Sequence, residues 1–481
     1  MLRRICLSFL CGVLLTLLYP PFSYAALGWL ALTPLIVALR GATRRQGLWL
    51  GWLAGTIGAL GVTGYWMYHA ASDYFALSPL TAALFTVAIH QGFVSVYFML
   101  FGFAATARRA PRPLFLAALF VAIEYARARL FSGNPWAQLG QSQDTPILMQ
   151  VCDLTGVYGL SFLLAWTAAA VADLRRSWRP LAAASAAVVL VLAYGSWRLQ
   201  TSAGDAAVVP IGLVQGSLPN GERGDPRFFA RHLQTYLDLS AALDMPPQAL
   251  LVWPENAVGF FPTENASLLA ATRELLRVRD ASLLFGAPRG SGREGVAAIY
   301  NSAYLLRADA LEAVYDKRVL LPFVESMPWR RGDGPYLAGA RSGVFPVASA
   351  RAAVLICYEA IYAGLAAAAA RSGVGVVVNL SNDSWFEAGA GPEQHSQAAK
   401  FRAVESHVSL VRVTNSGVSA VVDPNGREIL RLPGRQPAAR LVSVPVGAGG
   451  SFYSLYGDVF AVACVVFVLI ALGFQRWSIR V

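Results

Sequence analysis

The chain has 481 residues, of which 56% are apolar and only 14% are charged. Soluble domains carry about a quarter charged residues, so the composition excludes a chain that is soluble over its whole length. The formal charge of +11 comes from arginine, because Lys317 and Lys400 are the only lysines, and no basic stripe alternates with aromatic residues. A nucleic-acid-binding protein is therefore excluded.

Apolar runs dominate the N-terminal part of the chain and return near its C-terminus. A helix needs about 17–25 predominantly apolar residues to cross a bilayer. Runs near that length predict eight spans, seven before a long middle segment and one after it. They are residues 5–19, 24–39, 48–68, 80–105, 113–130, 157–171, 181–197 and 453–474.

Arginines cluster before the first of these runs and after the second, fourth, sixth and eighth. Because cytoplasmic loops collect Lys and Arg, both termini are predicted to lie in the cytoplasm and the middle segment outside it. Arg127 and Arg129, at the end of the fifth run, are the exceptions. The clusters consist of Arg3, Arg4, Arg40, Arg44, Arg45, Arg108, Arg109, Arg112, Arg175, Arg176, Arg179, Arg476 and Arg480.

The N-terminus allows two interpretations. Arg3 and Arg4, an apolar run and the segment 23–25 resemble a cleavable signal peptide. An uncleaved helix is preferred, because Pro20-Pro21-Phe22 leads directly into the next span. Cleavage would leave the rest of the topology unchanged, and a mature N-terminus at Ala26 would support it.

Residues 199–450 have a different pattern from the membrane segments 1–198 and 451–481. Short β-rich apolar runs alternate there with helical patterns at 264–279 and 392–407. Such alternation predicts an α/β domain. The predicted strands are 208–214, 250–253, 282–285, 299–306, 353–357, 374–380, 408–413 and 418–422.

Cys357 is the only cysteine of this predicted exterior domain. The chain has no C-x-x-C pair and no histidine at metal-ligand spacing from a cysteine, so neither a metal nor another cofactor is expected. A lone cysteine is most often a small buried hydrophobe. Here an apolar strand ends at Cys357 and is followed by Tyr358 and Glu359, an arrangement that can display a nucleophile at a domain edge.

A thiol is mostly protonated at neutral pH, so a nucleophilic cysteine needs a base and a nearby positive charge. Glu255 ends another apolar strand, in Trp253-Pro254-Glu255, and Lys317 follows later in the same domain. Each residue alone is a weak signal, since surface glutamates and lysines are usually only solvated. Together, in the order Glu, Lys, Cys, they predict a general base, an oxyanion-stabilising cation and a nucleophile.

These three motifs resemble those of a known superfamily. W-P-E at Glu255, Y-D-K-R-V-L-L-P-F-V-E at Lys317 and L-I-C-Y-E at Cys357 are similar to the triad of the nitrilase (carbon–nitrogen hydrolase) superfamily. With the membrane runs, the whole chain resembles the apolipoprotein N-acyltransferase family. The resemblance implies a polytopic α-helical membrane domain of eight spans plus a nitrilase-like αββα sandwich domain. Further similar segments are 20–22, 133–140, 214–217, 300–302, 382–386, 391–395 and 412–417.

The chain departs from the family pattern at a few positions. Val324 and Ser326 replace the usual glycine and tyrosine, His407 stands where arginine is usual, and Glu387 replaces a glycine. These departures concern loop shape and lipid contacts more than the chemistry.

The resemblance also implies a mechanism. Glu255 takes the proton of Cys357, the thiolate attacks an ester carbonyl of a phospholipid, and Lys317 with the backbone N–H of Tyr358 stabilises the oxyanion. The acyl chain then passes from the thioester to the α-amine of a diacylglyceryl-cysteine on an apolipoprotein. Supporting roles are implied for Glu325, which would orient Lys317, and for Glu359, which would hold the loop after the nucleophile. Substrate-binding roles are implied for Asn301, Trp385 and Phe386.

The same resemblance implies location and partners. It places the chain in the bacterial inner (cytoplasmic) membrane with its catalytic domain on the periplasmic side, acting as a monomer on a phospholipid donor and an apolipoprotein acceptor. The Gly- and Arg-rich segment 329–343 and the segment 385–391 are expected to cover the site at the membrane surface.

Two other functions fit parts of the sequence. A membrane-tethered amidase or nitrilase could use the same triad on a small C–N substrate, although a soluble substrate would not require eight spans. The spans alone would also fit a transporter, but paired half-repeats with charged midplane sites are absent from the sequence.

Overall fold

The structure is a computed structural model that describes residues 1–107, 112–201, 207–222, 224–291, 299–326, 336–386 and 389–477. The chain forms two compact units. The helical unit comprises Met1–Ser202, Phe386–Phe401 and Tyr456–Val481, and the sheet unit comprises Ala203–Trp385 and Arg402–Leu455. The segment Phe386–Phe401 thus groups with the helices, although the residues on both sides of it belong to the sheet unit.

Most of the predicted membrane runs form helices in the helical unit. Two π-helical stretches, Leu60–Gly64 and Gln91–Ser95, join neighbouring α-helices into longer ones, and a third, Ala70–Tyr74, extends the helix Tyr65–His69. The α-helices are Leu2–Leu17, Thr33–Leu39, Arg44–Ala59, Tyr65–His69, Pro79–His90, Val96–Ala105, Pro113–Arg129, Pro146–Met149, Cys152–Thr155, Val157–Asp173, Arg179–Thr201 and Val459–Trp477.

Within the described residues, three helices are long and apolar enough to cross a membrane: Arg44–Tyr74, Pro79–Ala105 and Arg179–Thr201. A fourth span results if Pro146–Thr155 and Val157–Asp173, which meet at a bend of 112°, count as one. The predicted count of eight is therefore not confirmed. Two further runs form α-helices of only 16 and 17 residues, and the run at 24–39 breaks into the 3₁₀-helix Ala25–Trp29 and the seven-residue helix Thr33–Leu39.

Glycines let two of the long helices touch along their backbones. A Cβ atom on Gly51 would collide with the carbonyl oxygen of Phe98, and Cβ atoms on Gly47 and Gly102 would each collide with the other residue's carbonyl oxygen. Small residues at such positions allow close approach, which is the usual means of helix association in lipid.

Gln394 links four segments of the helical unit through a buried side-chain amide. Its oxygen accepts hydrogen bonds from the indole N–H groups of Trp66 and Trp136, at 3.2 and 3.0 Å. Its nitrogen donates to the carbonyl oxygens of Pro20 and Val62, both at 2.8 Å. Since both atoms of the amide are satisfied, Gln394 can remain buried without the cost of an unpaired polar group.

The sheet unit contains two sheets of six strands each. Its helices are Phe229–Ala241, Ala270–Arg279, Ala363–Arg371 and Phe452–Tyr456, and the last residues of the helix Gly391–Ser406 also belong to it. The strands are β1 (Val208–Gln215), β2 (Leu250–Val252), β3 (Ser282–Gly290), β4 (Ile299–Leu306), β5 (Leu311–Asp316), β6 (Val344–Val347), β7 (Ala350–Ile356), β8 (Val376–Ser381), β9 (Ser409–Thr414), β10 (Ala420–Val422), β11 (Glu428–Arg431) and β12 (Ala438–Pro445). The first sheet has the strand order β12-β1-β2-β3-β4-β5, and the second has the order β11-β10-β9-β8-β7-β6.

The two sheets pack face to face between layers of helices. Strands β1 and β4 contact β9 and β7 of the other sheet, while Ala363–Arg371 packs on β7. Helices Phe229–Ala241 and Ala270–Arg279 cover the first sheet, where Tyr236 and Leu276 join Trp253 and Phe285 in one buried cluster. The predicted α/β domain is confirmed, with strands buried on both faces at the centre of each sheet.

Candidate active site

The three predicted catalytic residues lie just beyond the ends of three strands in the sheet unit. Glu255 follows β2, Lys317 follows β5 directly, and Cys357 follows β7 directly. Their side chains are buried, with 5%, 1% and 4% of the residue surface exposed. Buried ionisable groups persist only when they are paired, so the contacts among these residues decide what each can do.

Lys317 lies between two carboxylates. Its Nζ is 3.5 Å from Glu255 Oε1 and 2.8 Å from Glu325 Oε2. Asn301 donates from Nδ2 to Glu255 Oε1 at 2.7 Å and to Glu325 Oε1 at 3.2 Å. The backbone N–H of Leu321 donates to the other oxygen of Glu325 at 2.7 Å. These contacts fix both carboxylates around one ammonium group, and the orienting role of Glu325 stays a prediction.

Glycine at position 286 makes room for the base. The strand β3 passes so close to the end of β2 that a Cβ atom on Gly286 would lie 2.7 Å from the Cα atom of Glu255 and 2.6 Å from the backbone nitrogen of Asn256. Any larger side chain would therefore displace the backbone that carries Glu255.

Cys357 occupies a strained backbone position. Its φ is 51°, in the left-handed region that non-glycine residues rarely adopt. The strand β7 ends at Ile356, and the 3₁₀-helix Cys357–Ile361 starts at once. Such strain costs about 1–3 kcal/mol and is found mainly at functional sites. The abrupt change from strand to helix presents the thiol beyond the end of the sheet.

Glu359 holds the turns that carry Lys317 and Cys357. Its carboxylate accepts hydrogen bonds from the backbone N–H groups of Ile356 at 2.8 Å, of Arg318 at 2.7 Å and of Val319 at 2.9 Å. The hydroxyl of Tyr315 donates to both of its oxygens at 2.9 Å. One buried carboxylate therefore joins the segment after β5 to the end of β7, and the supporting role of Glu359 stays a prediction.

We expect Glu359→Gln to weaken the fold and slow turnover without changing the KM for substrate. The glutamine NH₂ group cannot accept the backbone N–H bonds, so a buried donor loses its partner, at a cost of about 1–3 kcal/mol. The variant should show a lower thermal midpoint and a lower kcat. Tyr315→Phe removes one donor and leaves the backbone bonds, so a loss of about 1 kcal/mol is expected of it. A Gln variant as stable and active as the wild type would contradict this role.

The charges around Cys357 keep its proton in place at rest. Burial raises the pKa of the thiol to about 12, the negative charge of Glu255 adds to the rise, and Lys317 opposes it. Burial also raises the pKa of Glu255, against the lowering effects of Lys317, Asn301 and a hydrogen bond with Cys357. The thiol and the carboxylate are thus in contact.

Lys317 stays charged despite its burial. Burial lowers its pKa, but the carboxylates of Glu325 and Glu255 and the Cys357 thiol outweigh that effect and raise the pKa well above its ordinary value. A fixed cation beside a nucleophile can stabilise negative charge that develops on a bound carbonyl oxygen. Across the described residues, no group of three or more His, Cys, Asp or Glu side chains could hold a metal ion.

The remaining predicted residues lie in different places. Tyr358 follows the nucleophile and is buried, with its ring 5.2 Å from that of Tyr362. Trp385 belongs to the sheet unit, and its indole N–H donates to the Asn382 carbonyl at 2.9 Å. Phe386 lies in the helical unit, with its ring 4.8 Å from Trp66. Asn301 contacts the two carboxylates, and its Oδ1 has no hydrogen-bond partner among the described residues. Substrate binding by Asn301, Trp385 and Phe386 stays a prediction.

The two predicted cover segments cannot be assessed in full. Residues 329–335 of the segment 329–343 and residues 387–388 of the segment 385–391 lie outside the described residues. In the described remainder, Gly343 has a φ of 70° and lies against the ring of Tyr315.

The sequence did not single out Ser381 and Asn379 near the nucleophile, whereas Asp383 and Arg412 lie in the segments 382–386 and 412–417 that resemble the family. Ser381 ends β8, Asn379 lies two residues earlier, and Arg412 belongs to β9. These three side chains and Asp383 are 0–1% exposed. In the sequence, polar residues within or next to apolar strands are typical of a buried core and do not by themselves indicate a site. Only the pairing of the strands brings them next to Cys357.

Comparison with known proteins gives matches along almost the whole chain. Residues 11–170 match the family model described as Apolipoprotein N-acyltransferase N-terminal domain, and residues 214–441 match the model described as Carbon-nitrogen hydrolase. A protein of Geobacter metallireducens named apolipoprotein N-acyltransferase is 33% identical over 99% of this chain and 96% of its own length. Proteins of the same name from Azotobacter vinelandii and Pseudomonas aeruginosa are 35% and 33% identical, over 90% and 89% of this chain and 87% of each relative.

Among solved structures, a variant of a Nesterenkonia amidase from the nitrilase superfamily is 20% identical to this chain. The match covers 52% of this chain and 94% of the amidase, with a TM-score of 0.40.

Proposed function

Because the chain belongs to the apolipoprotein N-acyltransferase family, we propose that Cys357 is the nucleophile that carries its acyl chain. As a member of this family, the chain is an acyltransferase of lipoprotein maturation, with lipid and lipoprotein substrates, and is integral to the membrane. The observation that carries the assignment of Cys357 is its burial in contact with Glu255 and beside the charged Lys317.

In the first half-reaction the acyl chain leaves a phospholipid. Glu255 takes the thiol proton as Cys357 attacks an ester carbonyl, and negative charge develops on the carbonyl oxygen. Lys317 and the backbone N–H of Tyr358 stabilise that oxyanion. When the C–O bond breaks, Glu255 returns the proton to the leaving oxygen, so a neutral lysophospholipid alcohol departs and a thioester remains on Cys357.

In the second half-reaction the α-amine of a diacylglyceryl-cysteine attacks the thioester. Glu255, ionised again, accepts a proton from the amine as the C–N bond forms, and the Cys357 thiolate leaves. That proton then passes to the thiolate, which restores the resting thiol. Glu325 keeps Lys317 in place through both steps at 2.8 Å. The two substrates therefore use one site in turn, which predicts ping-pong kinetics.

The finer location is part of the proposal. The arginine clusters at alternate ends of the membrane runs support an inner-membrane protein whose sheet unit faces the periplasm. An alkaline phosphatase fused after Thr201, which is active only outside the cytoplasm, should be active, and one fused after Arg45 should be inactive. Activity in the reverse pattern would refute the orientation. We also propose that the chain acts as a monomer without nucleic acid, which its mass in detergent solution would test.

The assay that tests the function uses the chain purified in detergent, a phospholipid and a synthetic peptide with an N-terminal diacylglyceryl-cysteine. We expect the peptide to gain the mass of one acyl chain while one lysophospholipid forms. Release of free fatty acid with an unchanged peptide would indicate a hydrolase. Release of ammonia from a short amide, without peptide acylation, would instead support the amidase interpretation, which the names of the relatives make the weaker one.

We expect thioester formation to depend on pH through Glu255. The base must be ionised to accept the thiol proton, and burial raises its pKa above the ordinary value. The rate should therefore be retained at higher pH and lost as the pH falls through this raised pKa. Asn301→Ala removes a hydrogen bond that lowers the pKa of Glu255, so the acid limb should move to higher pH. A single-turnover pH profile of both proteins checks this, and a limb that moves to lower pH would contradict it.

A further inference from the structure

Ser381 lies beside Cys357, at the ends of two neighbouring strands of the second sheet. Strands β7 and β8 run parallel, and their register pairs Leu355 with Asn379 and Ile356 with Leu380. The next position on each strand is Cys357 and Ser381, so the thiol and the hydroxyl leave neighbouring strand ends. Ser381 is fully buried, and its hydroxyl therefore meets protein groups and not bulk water.

A ring of buried polar groups starts at Ser381 and returns to Cys357. The Ser381 hydroxyl donates to Asp383 Oδ1 at 3.2 Å, and the Arg412 guanidinium donates to Asp383 Oδ2 at 2.6 Å. Arg412 also donates to the amide oxygen of Asn379, whose Nδ2 donates to the Cys357 carbonyl at 3.3 Å. A connected network of this kind fixes the position of each member, so the hydroxyl is held next to the nucleophile.

The sulfur atom faces charges from several strand ends. Burial and the carboxylate of Glu255 raise the pKa of the thiol, and Asp383 raises it further, whereas Lys317 and a hydrogen bond with Ser381 lower it. Arg412 forms an ion pair with Asp383 at 2.6 Å. Among the described residues, the titratable or charged groups around Cys357 on its own turn and on the neighbouring segments include Glu255, Lys317, Glu325, Tyr358, Glu359, Asp383 and Arg412.

We infer that Ser381 is a further catalytic residue, whose hydroxyl donates a hydrogen bond to the Cys357 sulfur whenever that sulfur is a thiolate. Asp383 and Arg412 are positioning residues that hold the hydroxyl. The inference rests on the proposed role of Cys357 as nucleophile. The thiolate would thus be stabilised by a neutral hydrogen-bond donor, Ser381, while the cation Lys317 stabilises the oxyanion.

The step needs only one rotation of a hydroxyl. In the resting enzyme Ser381 donates to Asp383, as observed. When Glu255 takes the thiol proton, the hydroxyl turns to the anionic sulfur and keeps its own proton. After the C–S bond has formed, the sulfur is neutral and the hydroxyl returns to Asp383. Because the thiolate is also the leaving group when the amine attacks, the same bond assists both half-reactions.

Alkylation of Cys357 by iodoacetamide, followed by peptide mass spectrometry between pH 7 and 9, tests this inference without any acyl substrate. A hydrogen bond to a charged group is strong, so Ser381→Ala should slow alkylation and single-turnover acylation by about 10-fold or more. Ser381→Thr keeps a hydroxyl and should recover most of the rate. Ser409→Ala removes an equally buried serine at the opposite end of the same sheet and should leave the rate unchanged.

Asp383→Asn provides a readout of opposite sign. It keeps a side-chain oxygen that can accept from the Ser381 hydroxyl but removes a negative charge that opposes the thiolate. Cys357 should therefore alkylate faster at a given pH, whereas Ser381→Ala makes it slower. General damage to the fold would move both variants in the same direction, and that result would overturn the inference. So would a Ser381→Ala profile that superimposes on the wild type. If instead Cys357→Ala still acylated the peptide, the proposed function would fail, which is a separate result.

Discussion

Replacement of Cys357 by alanine is expected to abolish acyl transfer. Loss of an enzyme's nucleophile typically costs a factor of about 10⁴ or more in turnover, and the pair of Glu255 and Lys317 offers no second nucleophile. Intact mass of protein purified from membranes should show an acyl adduct on the wild type and none on the variant. Cys357→Ser should likewise form no thioester.

Cys464→Ala is the matched control for this prediction. Cys464 is also a buried cysteine, but it lies on the C-terminal helix Val459–Trp477 of the helical unit. The control should keep the adduct and full activity. If membranes that contain only Cys357→Ala still produced N-acylated lipoprotein, the nucleophile would have to be a different residue.

Replacement of Lys317 by methionine is expected to reduce both activity and stability. The cation lies between both carboxylates, at 3.5 Å from Glu255 and 2.8 Å from Glu325. Loss of an oxyanion-stabilising group costs about 10²–10³ in kcat. Breaking a buried ion pair also leaves uncompensated charge, at a cost of about 3–5 kcal/mol in the free energy of unfolding. Thermal unfolding in detergent and single-turnover acylation measure the two effects.

Two further variants separate these effects. Lys317→Met combined with Glu325→Gln removes one of the unpaired carboxylates, so it should regain stability while activity stays low. Lys400 is the other lysine of the chain, and its Nζ donates to the Asp144 carbonyl at 2.9 Å. Lys400→Met should change stability by about 1 kcal/mol or less and leave the chemistry intact. A Lys317→Met enzyme with wild-type turnover would refute the assigned role.

The sequence predicted the interior strands of the sheet unit and missed those at the edges. Runs at 208–214, 250–253, 282–285, 299–306, 353–357, 374–380, 408–413 and 418–422 correspond to β1, β2, β3, β4, β7, β8, β9 and β10. The unpredicted strands β5, β6, β11 and β12 are the four that end the two sheets. An edge strand buries less of its surface, so it needs no continuous apolar run: β11, for example, has exposed residues at three of its four positions.

The membrane runs were harder to interpret because apolar composition does not determine helix length. Pro113–Arg129 is an apolar run that forms a helix of 17 residues, near the lower limit for a span. The run at 157–171 belongs to a helix that turns by 112° from its predecessor at Gly156, whose φ is 61°. Such breaks depend on individual glycines and prolines and on neighbouring helices, which a count of apolar residues does not include.

For the active site, residue chemistry predicted the triad, but not the groups that hold it. Glu255, Lys317 and Cys357 could be found because few residue types can act as base, cation and nucleophile. The four hydrogen-bond donors of Glu359 come from β5 and the residues after it in one sheet and from the end of β7 in the other, and only the fold shows that they converge. Ser381 depends in the same way on the register between β7 and β8.

The amide of Gln394 has a practical consequence for anyone who wishes to study the catalytic half alone. A fragment cut at 203 and 455 would include Phe386–Phe401, the segment that groups with the helices. In that fragment Gln394 would lose all four hydrogen bonds, and the ring of Phe386 would lose Trp66 and Trp136. An apolar patch with an unsatisfied amide would then face solvent, which favours aggregation. A water-soluble version would therefore require redesign of this internal segment as well as new ends.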